Sequence, residues 1–210
     1  MIFRLDERLL FPDPELAEPD GLLAIDGDLS TERLMLAYQS GIFPWYSDDT
    51  PILWYSPHER FVIFPAELKI SKSMQKVLTS GRFTITANKC FGKVIAACSA
   101  IERPGQDGTW ITAEMKEAYV RLHQKGYAHS VEVWQEDNLV GGLYGIKTGN
   151  IFCGESMFSL VSNASKVALI HLCGLGYNLI DCQVYTPHLA SMGARMIRRS
   201  EYMQFVNGEL

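Results

Sequence analysis

Three strand patterns that follow one another in the middle of the chain constrain the fold most. The segments SVEVW (130–134), LVGGLYGI (139–146) and NIFCG (150–154) are joined by short turn-forming stretches that include EDN and KTG. Connections this short link antiparallel neighbours, because a parallel pair needs a crossover of about a dozen residues or more. The sequence therefore predicts an antiparallel meander.

Patterns on either side of the meander add helices and further strands. The predicted strands cover 60–64, 83–87 and 178–184, and the predicted helices cover 90–100, 113–125, 163–174 and 187–193, with one more that Ser71 caps. A helix thus crosses over from the meander to a late strand. The predicted fold class is α+β around a largely antiparallel mixed sheet.

The region before about residue 62 has a different character. It is rich in turns and aromatic residues and leaves room for one clear helix, from Ser30 to Ser40, which Gly41 ends. Regular alternation of strands and helices begins only afterwards. We therefore predict a small N-terminal lobe over residues 1–62 and a larger domain over residues 63–210.

Composition argues against several classes of protein. The formal net charge is −5, so any nucleic-acid binding must come from a local basic patch. The five cysteines contain no CxxC pair and the five histidines no HExxH spacing, so neither a disulfide framework nor a metal site is expected. The chain also lacks the P-loop motif for ATP. We expect no cofactor, and any acyl group must arrive already activated.

The sequence also indicates a location. No apolar run approaches the ~20 residues of a membrane span. Asp6 and Glu7 stand where a secretory signal would continue its apolar stretch. The expected location is therefore the cytoplasm, with no membrane partner.

The late strand LIDCQV carries the first candidates for chemistry. Asp181 and Gln183 lie two residues apart, which on a regular strand places both side chains on one face. They could simply face solvent, but the apolar flanks favour burial, and buried polar groups need partners or a function. An amide oxygen can accept a hydrogen bond from an attacking amine while a carboxylate orients the amide.

The segment FCGESMF provides a third candidate, Glu155, which is predicted to follow a strand end. It is either a helix-capping or solvent-exposed loop carboxylate, or a group that recognises a cationic part of a substrate. Ser156 lacks the G-x-S-x-G frame, so a serine hydrolase is not indicated. The glycines of GGLYG (141–145) lie within a predicted strand, which favours a bulge or a close approach over a nucleotide loop.

Two further groups fit binding to RNA. Trp45 and Trp110 lie near Gly or Pro, where core packing is the common role but a flat ring can also stack on a base. Four basic residues around the Ser71-capped helix could contact phosphates, although they could equally form a solvated helix face: Lys69, Lys72, Lys76 and Arg82.

Ten ordered segments between residues 20 and 197 resemble the bacterial leucyl/phenylalanyl-tRNA–protein transferase family. They are GLLAIDGDLS, AYQSGIFPWYS, PILWYSP, GTWIT, HSVEVW, LVGGLYG, GESMF, NASKVAL, LIDCQV and HLASMGA. The resemblance implies a smaller N-terminal domain followed in the sequence by an acetyltransferase-like catalytic domain. It also implies an enzyme that moves Leu or Phe from its tRNA to the N-terminal Arg or Lys of a protein, which marks that protein for degradation.

The resemblance also implies roles for individual residues. Gln183 would contact the attacking α-amine, Asp181 would hold Gln183, and Glu155 would orient the amine or recognise the basic side chain. Trp45 and Trp110 would hold the 3′ aminoacyl-adenosine. Our candidates for the apolar pocket that takes the aminoacyl side chain are Leu143, Phe152, Met157 and Ile180.

Two other functions remain open from the sequence. An acyl-CoA-dependent N-acetyltransferase would share the fold, but it needs a glycine-rich pyrophosphate loop that leads into a helix, and the sequence contains none. A non-catalytic tRNA-binding module would keep the basic helix and the tryptophans. It would not need a buried Asp181 and Gln183.

Overall fold

The computed structural model describes residues 2–101 and 109–209. The N-terminal region forms a small sheet with the strand order β1-β2-β4-β3, beside one helix. Its elements are β1 (Phe3–Leu5), β2 (Leu22–Asp26), α1 (Thr31–Gln39), β3 (Phe43–Pro44) and β4 (Leu53–Tyr55). The helix begins as predicted, because the Ser30 side chain accepts a hydrogen bond from the backbone N–H of Arg33.

The rest of the chain builds a larger sheet. Its elements are β5 (Glu59–Ile63), α2 (Lys72–Thr79), β6 (Thr84–Ala87), α3 (Phe91–Ala100), α4 (Ala113–Gln124), β7 (Ala128–Gln135), β8 (Asn138–Thr148), β9 (Ile151–Ser159), α5 (Ala164–Cys173), β10 (Leu179–Gln183), α6 (Pro187–Ser191), β11 (Arg195–Arg198) and α7 (Arg199–Val206). Over the described residues, seven strands pair in the order β11-β5-β10-β9-β8-β7-β6.

The predicted meander and crossover are both present. β7, β8 and β9 pair antiparallel in succession, and α5 leads from β9 to β10, which pairs parallel to β9. The remaining pairs in the larger sheet are antiparallel. The predicted α+β class with a largely antiparallel mixed sheet is therefore confirmed.

The structure differs from the prediction at the end of the meander. The third meander strand was expected to end at Gly154, but β9 continues to Ser159, so Glu155 lies inside a strand and the loop assignment is wrong. The sequence also predicts a polar loop over residues 102–109, which lies, apart from Thr109, outside the described residues. The domain boundary near residue 62 stays a prediction. β5 contains that position and pairs with β10 and β11 of the larger sheet.

Both faces of the larger sheet are covered, because neighbouring residues of each strand alternate between two apolar clusters. Phe152 and Ile180 pack on the side of α2 and α5. Cys153 and Leu179 pack on the side of α3 and α4, in a cluster that also contains the core of the N-terminal sheet. The small sheet and the larger sheet thus share one apolar core. Among the described residues, no helix is both long and apolar enough to cross a bilayer.

A buried carboxylate starts one of the covering helices. Cys90 precedes α3 and makes no side-chain cap. Instead Glu132 of β7 accepts hydrogen bonds from the backbone N–H groups of Lys89 and Cys90 at 3.3 and 3.4 Å, and from the hydroxyl of Thr86 at 2.5 Å. A negative charge at a helix N-terminus is favourable, so Glu132 has a structural explanation.

Candidate active site

A cavity of about 340 Å³ opens where two neighbouring strands of the larger sheet stop pairing. β9 and β10 pair only from Ile151 to Cys153 and from Leu179 to Asp181. Beyond that point a bulge leaves Glu155 without a partner on β8, and a second bulge shifts β10 against β5 after Asp181. Bulges of this kind bend strands and redirect side chains.

Glycine makes the first bulge possible. Gly145 pairs with Gly154, and a Cβ at Gly145 would lie only 2.1 Å from the carbonyl oxygen of Cys153. The glycines of GGLYG predict a bulge or a close approach, and both are present at Gly145. It places the Glu155 carboxylate where hydroxyls from α1 and α4 reach it.

The cavity has an apolar wall and a polar side. Glu155 and Asp181 line it together with residues of α5 and α6. The four residues expected to form the aminoacyl pocket all line this cavity, although they come from three different strands: Leu143, Phe152, Met157 and Ile180.

Glu155 is held by three donors. The hydroxyl of Tyr38 donates to Oε1 at 2.7 Å, and the hydroxyl of Tyr119 donates to Oε2 at 3.0 Å. The Nε2 of Gln183 donates to Oε1 at 3.1 Å. The hydroxyls of Tyr38 and Tyr119 also contact each other. The carboxylate thus lies between two buried phenols and one amide.

Burial raises the pKa of Glu155 to about 7, and the nearby Asp181 carboxylate acts in the same direction. The hydrogen bonds from Tyr38, Tyr119 and Gln183 favour the ionised form and oppose this rise. A carboxylate whose pKa lies near neutrality can gain or lose a proton at physiological pH, which suits acid–base chemistry.

Asp181 has different partners. It is fully buried and forms an ion pair with Arg60, while its Oδ1 accepts from the backbone N–H of Gln183 at 2.8 Å. The expected contact with the side-chain amide of Gln183 is absent among the described contacts, because that amide binds Glu155. The bulge and the positive φ of 64° at Gln183 interrupt the regular two-residue alternation.

The two predicted tryptophans come together elsewhere. Trp45 and Trp110 line a second, open pocket of about 300 Å³. Trp45 is 45% exposed, and its ring centroid lies 5.7 Å from that of Tyr55. Exposed aromatic faces in an open pocket can stack on a nucleobase.

The predicted basic residues are exposed around α2. The spacing of Lys69, Lys72 and Lys76 by three and four residues predicts one shared helix face. Only Lys72 and Lys76 lie on the helix, because Lys69 precedes its Ser71 cap. The Arg82 guanidinium lies 4.9 Å from the Phe83 ring centroid. Within residues 2–101 and 109–209, none of the four has an acidic partner, so all can face an anionic ligand.

Comparison with known proteins decides the family. The family model "Leucyl/phenylalanyl-tRNA protein transferase" matches residues 62–207, and that of its N-terminal domain matches residues 27–58. The leucyl/phenylalanyl-tRNA–protein transferase of Syntrophobacter fumaroxidans is 57% identical, over 96% of this chain and 88% of its own length.

The chain belongs to the leucyl/phenylalanyl-tRNA–protein transferase family. The relative from Flavobacterium johnsoniae is 54% identical, over 99% of this chain and all of its own length. Among solved structures, a GCN5-related N-acetyltransferase from Kribbella flavida is similar with a TM-score of 0.38 and 8% identity, over 76% of this chain and 58% of that one. As a member of this transferase family, the chain is an aminoacyltransferase, as predicted.

Three residues of this candidate site are missing from the sequence-based prediction. The sequence places Tyr38 and Tyr119 on the apolar faces of predicted helices. Their hydrogen bonds to Glu155 become evident only in the structure. Arg60 is the first residue of the predicted strand RFVIF (60–64), and no residue near it in the sequence indicates a buried ion pair. A buried arginine always needs a counter-charge, but the sequence does not say which carboxylate supplies it.

Proposed function

We propose that the chain transfers leucine or phenylalanine, and less often methionine, from aminoacyl-tRNA to the N-terminal Arg or Lys of proteins. In the cytoplasm this reaction would mark those proteins for N-degron proteolysis. The single observation that carries the proposal is the cavity, whose apolar wall suits such side chains and whose polar side contains Glu155 and Asp181.

In this proposal the α-amine of the acceptor attacks the ester carbonyl of the aminoacyl-tRNA. A C–N bond forms, the C–O bond to the ribose breaks, the amine loses a proton and the departing ribose oxygen takes one up. The Nε2 of Gln183 donates to Glu155. The Oε1 of Gln183 therefore remains to accept a hydrogen bond from the amine. The ester is already activated, so alignment of amine and carbonyl supplies much of the rate.

The contacts of Glu155 favour one of its two expected roles. Both of its oxygens already accept hydrogen bonds from buried side chains. This supports a role in orienting Gln183, and through it the amine, over direct pairing with a basic side chain. Ionised Glu155 accepts from all three donors at once, so the ionised form holds the Gln183 amide most firmly.

The test is modification of an Arg-initiated peptide with purified Leu-tRNA or Phe-tRNA, followed by mass spectrometry. We expect a mass increase of one leucyl or phenylalanyl residue, and none on a matched peptide that begins with Asp. An acetyl group transferred from acetyl-CoA would instead favour the N-acetyltransferase. Binding of tRNA without any modification would favour the binding module.

A larger side chain in the cavity wall should change which amino acid is transferred, because it makes the cavity smaller. We expect Leu143→Trp to lower transfer of Phe at least about tenfold more than transfer of Leu, because lost volume penalises the larger side chain. The measurement compares transfer from Phe-tRNA and Leu-tRNA to one peptide. Leu160→Trp is the matched control, since Leu160 is 64% exposed. An unchanged Phe/Leu ratio in Leu143→Trp would place the pocket elsewhere.

The exposed lysines of α2 should control binding of tRNA. We expect Lys72→Ala with Lys76→Ala to weaken binding and to flatten its dependence on log salt by about 0.7 to 0.9 per lost phosphate contact. Filter binding over a range of salt concentrations measures both. Lys125→Ala is the control, because Lys125 pairs with Glu32 beside α4 on the other face of the sheet. The idea fails if the slope of the double variant equals that of the wild type.

A further inference from the structure

Arg60 is an unusually constrained charged residue. Its side chain is 1% exposed and forms an ion pair with Asp181 through Nη2. Its Nη1 donates to the carbonyl of Gly41 at 3.1 Å. Its guanidinium carbon lies 4.8 Å from the ring centroid of Phe43 and 4.6 Å from that of Tyr202. Both rings present their faces to the cation, which is a favourable arrangement.

The groups that surround the Arg60 guanidinium, which we call the Arg60 cage, are the carbonyl of Gly41 and the rings of Phe43 and Tyr202. They come from distant parts of the chain. Gly41 and Phe43 belong to the N-terminal region, Tyr202 lies on α7, and Arg60 itself lies on β5. A guanidinium held between two rings and a carbonyl has little freedom to rotate. The position of the Asp181 carboxylate is therefore set by the shared core of the two sheets.

Asp181 passes this constraint to Gln183. One carboxylate oxygen faces Arg60, and the other accepts from the backbone N–H of Gln183 at 2.8 Å. Gln183 has a positive φ, which residues with a side chain seldom adopt, so it needs such a contact to hold it. The same backbone position brings the amide of Gln183 within 3.1 Å of Glu155.

We propose that Arg60 is a positioning residue for aminoacyl transfer. It acts through Asp181, whose fixed carboxylate holds the bulged backbone of Gln183 so that the amide binds Glu155 and presents its oxygen to the attacking amine. The inference rests on the proposed function. In it Asp181 serves as an anchor for the main chain, since Arg60 and the Gln183 N–H use both of its oxygens.

The test replaces Arg60 alone and together with its partner. Arg60→Met keeps the length of the side chain but leaves Asp181 buried without a counter-charge. We expect kcat to fall about 10- to 100-fold, while KM for aminoacyl-tRNA stays within about threefold, because the cavity and the tryptophan pocket are unchanged. In the double variant Arg60→Met, Asp181→Asn, the uncharged amide oxygen can still accept from Gln183. We expect its kcat to return to within about threefold of the wild type.

Arg33→Met is the matched control. Arg33 is also 1% exposed and pairs with Asp28, but it binds the carbonyls of Asp6 and Arg8 in the N-terminal lobe and contacts none of the residues at the centre. Its loss should lower the free energy of unfolding and leave the kcat of the folded protein unchanged. A purely structural role for Arg60 predicts the same behaviour for Arg60→Met.

Three results would overturn the inference: wild-type kcat in Arg60→Met, a loss that appears only in KM, or a double variant that is slower than the wild type by more than about threefold. If Arg60→Met does not fold, the double variant, which buries no unpaired charge, decides alone by the same limit. Transfer by the wild-type chain is measured alongside. Its absence would overturn the proposed function and this inference with it.

Discussion

Gln183→Ala should lower the single-turnover rate of aminoacyl transfer about a hundredfold or more, the usual scale for a group that positions a proton or a nucleophile. The variant removes the amide oxygen that would accept from the attacking amine. It also removes the Nε2 donor that lies 3.1 Å from Glu155. Affinity for tRNA should change little, because Gln183 is neither part of α2 nor among the residues that line the pocket of Trp45 and Trp110.

Rapid mixing of enzyme, charged tRNA and Arg-initiated peptide measures this rate without interference from product release. Gln204→Ala is the control, because Gln204 lies exposed on α7 and should transfer at the wild-type rate. Asp181→Ala should cause a similar loss, since the Gln183 backbone then lacks its anchor. Wild-type rates in both Gln183→Ala and Asp181→Ala would show that the reaction takes place elsewhere.

The second large effect concerns stability and pH. The pKa of Glu155 is about 7 in the folded protein, against an ordinary value of 4.5, because the side chain is buried. Between these values the folded state binds a proton that the unfolded state has released. The free energy of unfolding therefore falls as pH rises from 4.5 to about 7, by about 3 kcal/mol in all from this one group.

Glu155→Gln should remove this contribution. Its free energy of unfolding should exceed that of the wild type by about 3 kcal/mol above pH 7, and the difference should shrink toward pH 5. Urea titrations of both proteins at several pH values measure it. Glu117→Gln, an exposed carboxylate on α4, should show no such divergence from the wild type. Parallel pH curves for the wild type and Glu155→Gln would contradict the raised pKa.

Local patterns in the sequence were sufficient for most of the fold. Short connections fixed the antiparallel pairing of β7, β8 and β9, and the cap at Ser71 fixed the start of α2, because both depend on residues close together in the chain. The end of β9 was predicted wrongly. A bulge at Glu155 adds one unpaired residue, so the alternation that marks a strand breaks there although the strand continues.

The site was predictable only in part. Charged residues within an apolar strand, such as Asp181, stand out in the sequence. Apolar residues of neighbouring strands can be expected to share a pocket. The partners of these groups cannot be derived in this way. Arg60 and Tyr38 reach the centre through tertiary contacts with residues more than a hundred positions away, and no local pattern encodes such a pairing.

The order in which the chain is synthesised determines when the Arg60 cage can form. Asp181 and Tyr202 are synthesised more than a hundred residues after Phe43 and Arg60. Folding during synthesis proceeds from the N-terminus, so the early part of the chain must wait for β10 and α7 before its arginine is neutralised. A nascent chain that has not yet reached β10 and α7 therefore lacks both the carboxylate and one of the two rings that hold the Arg60 guanidinium.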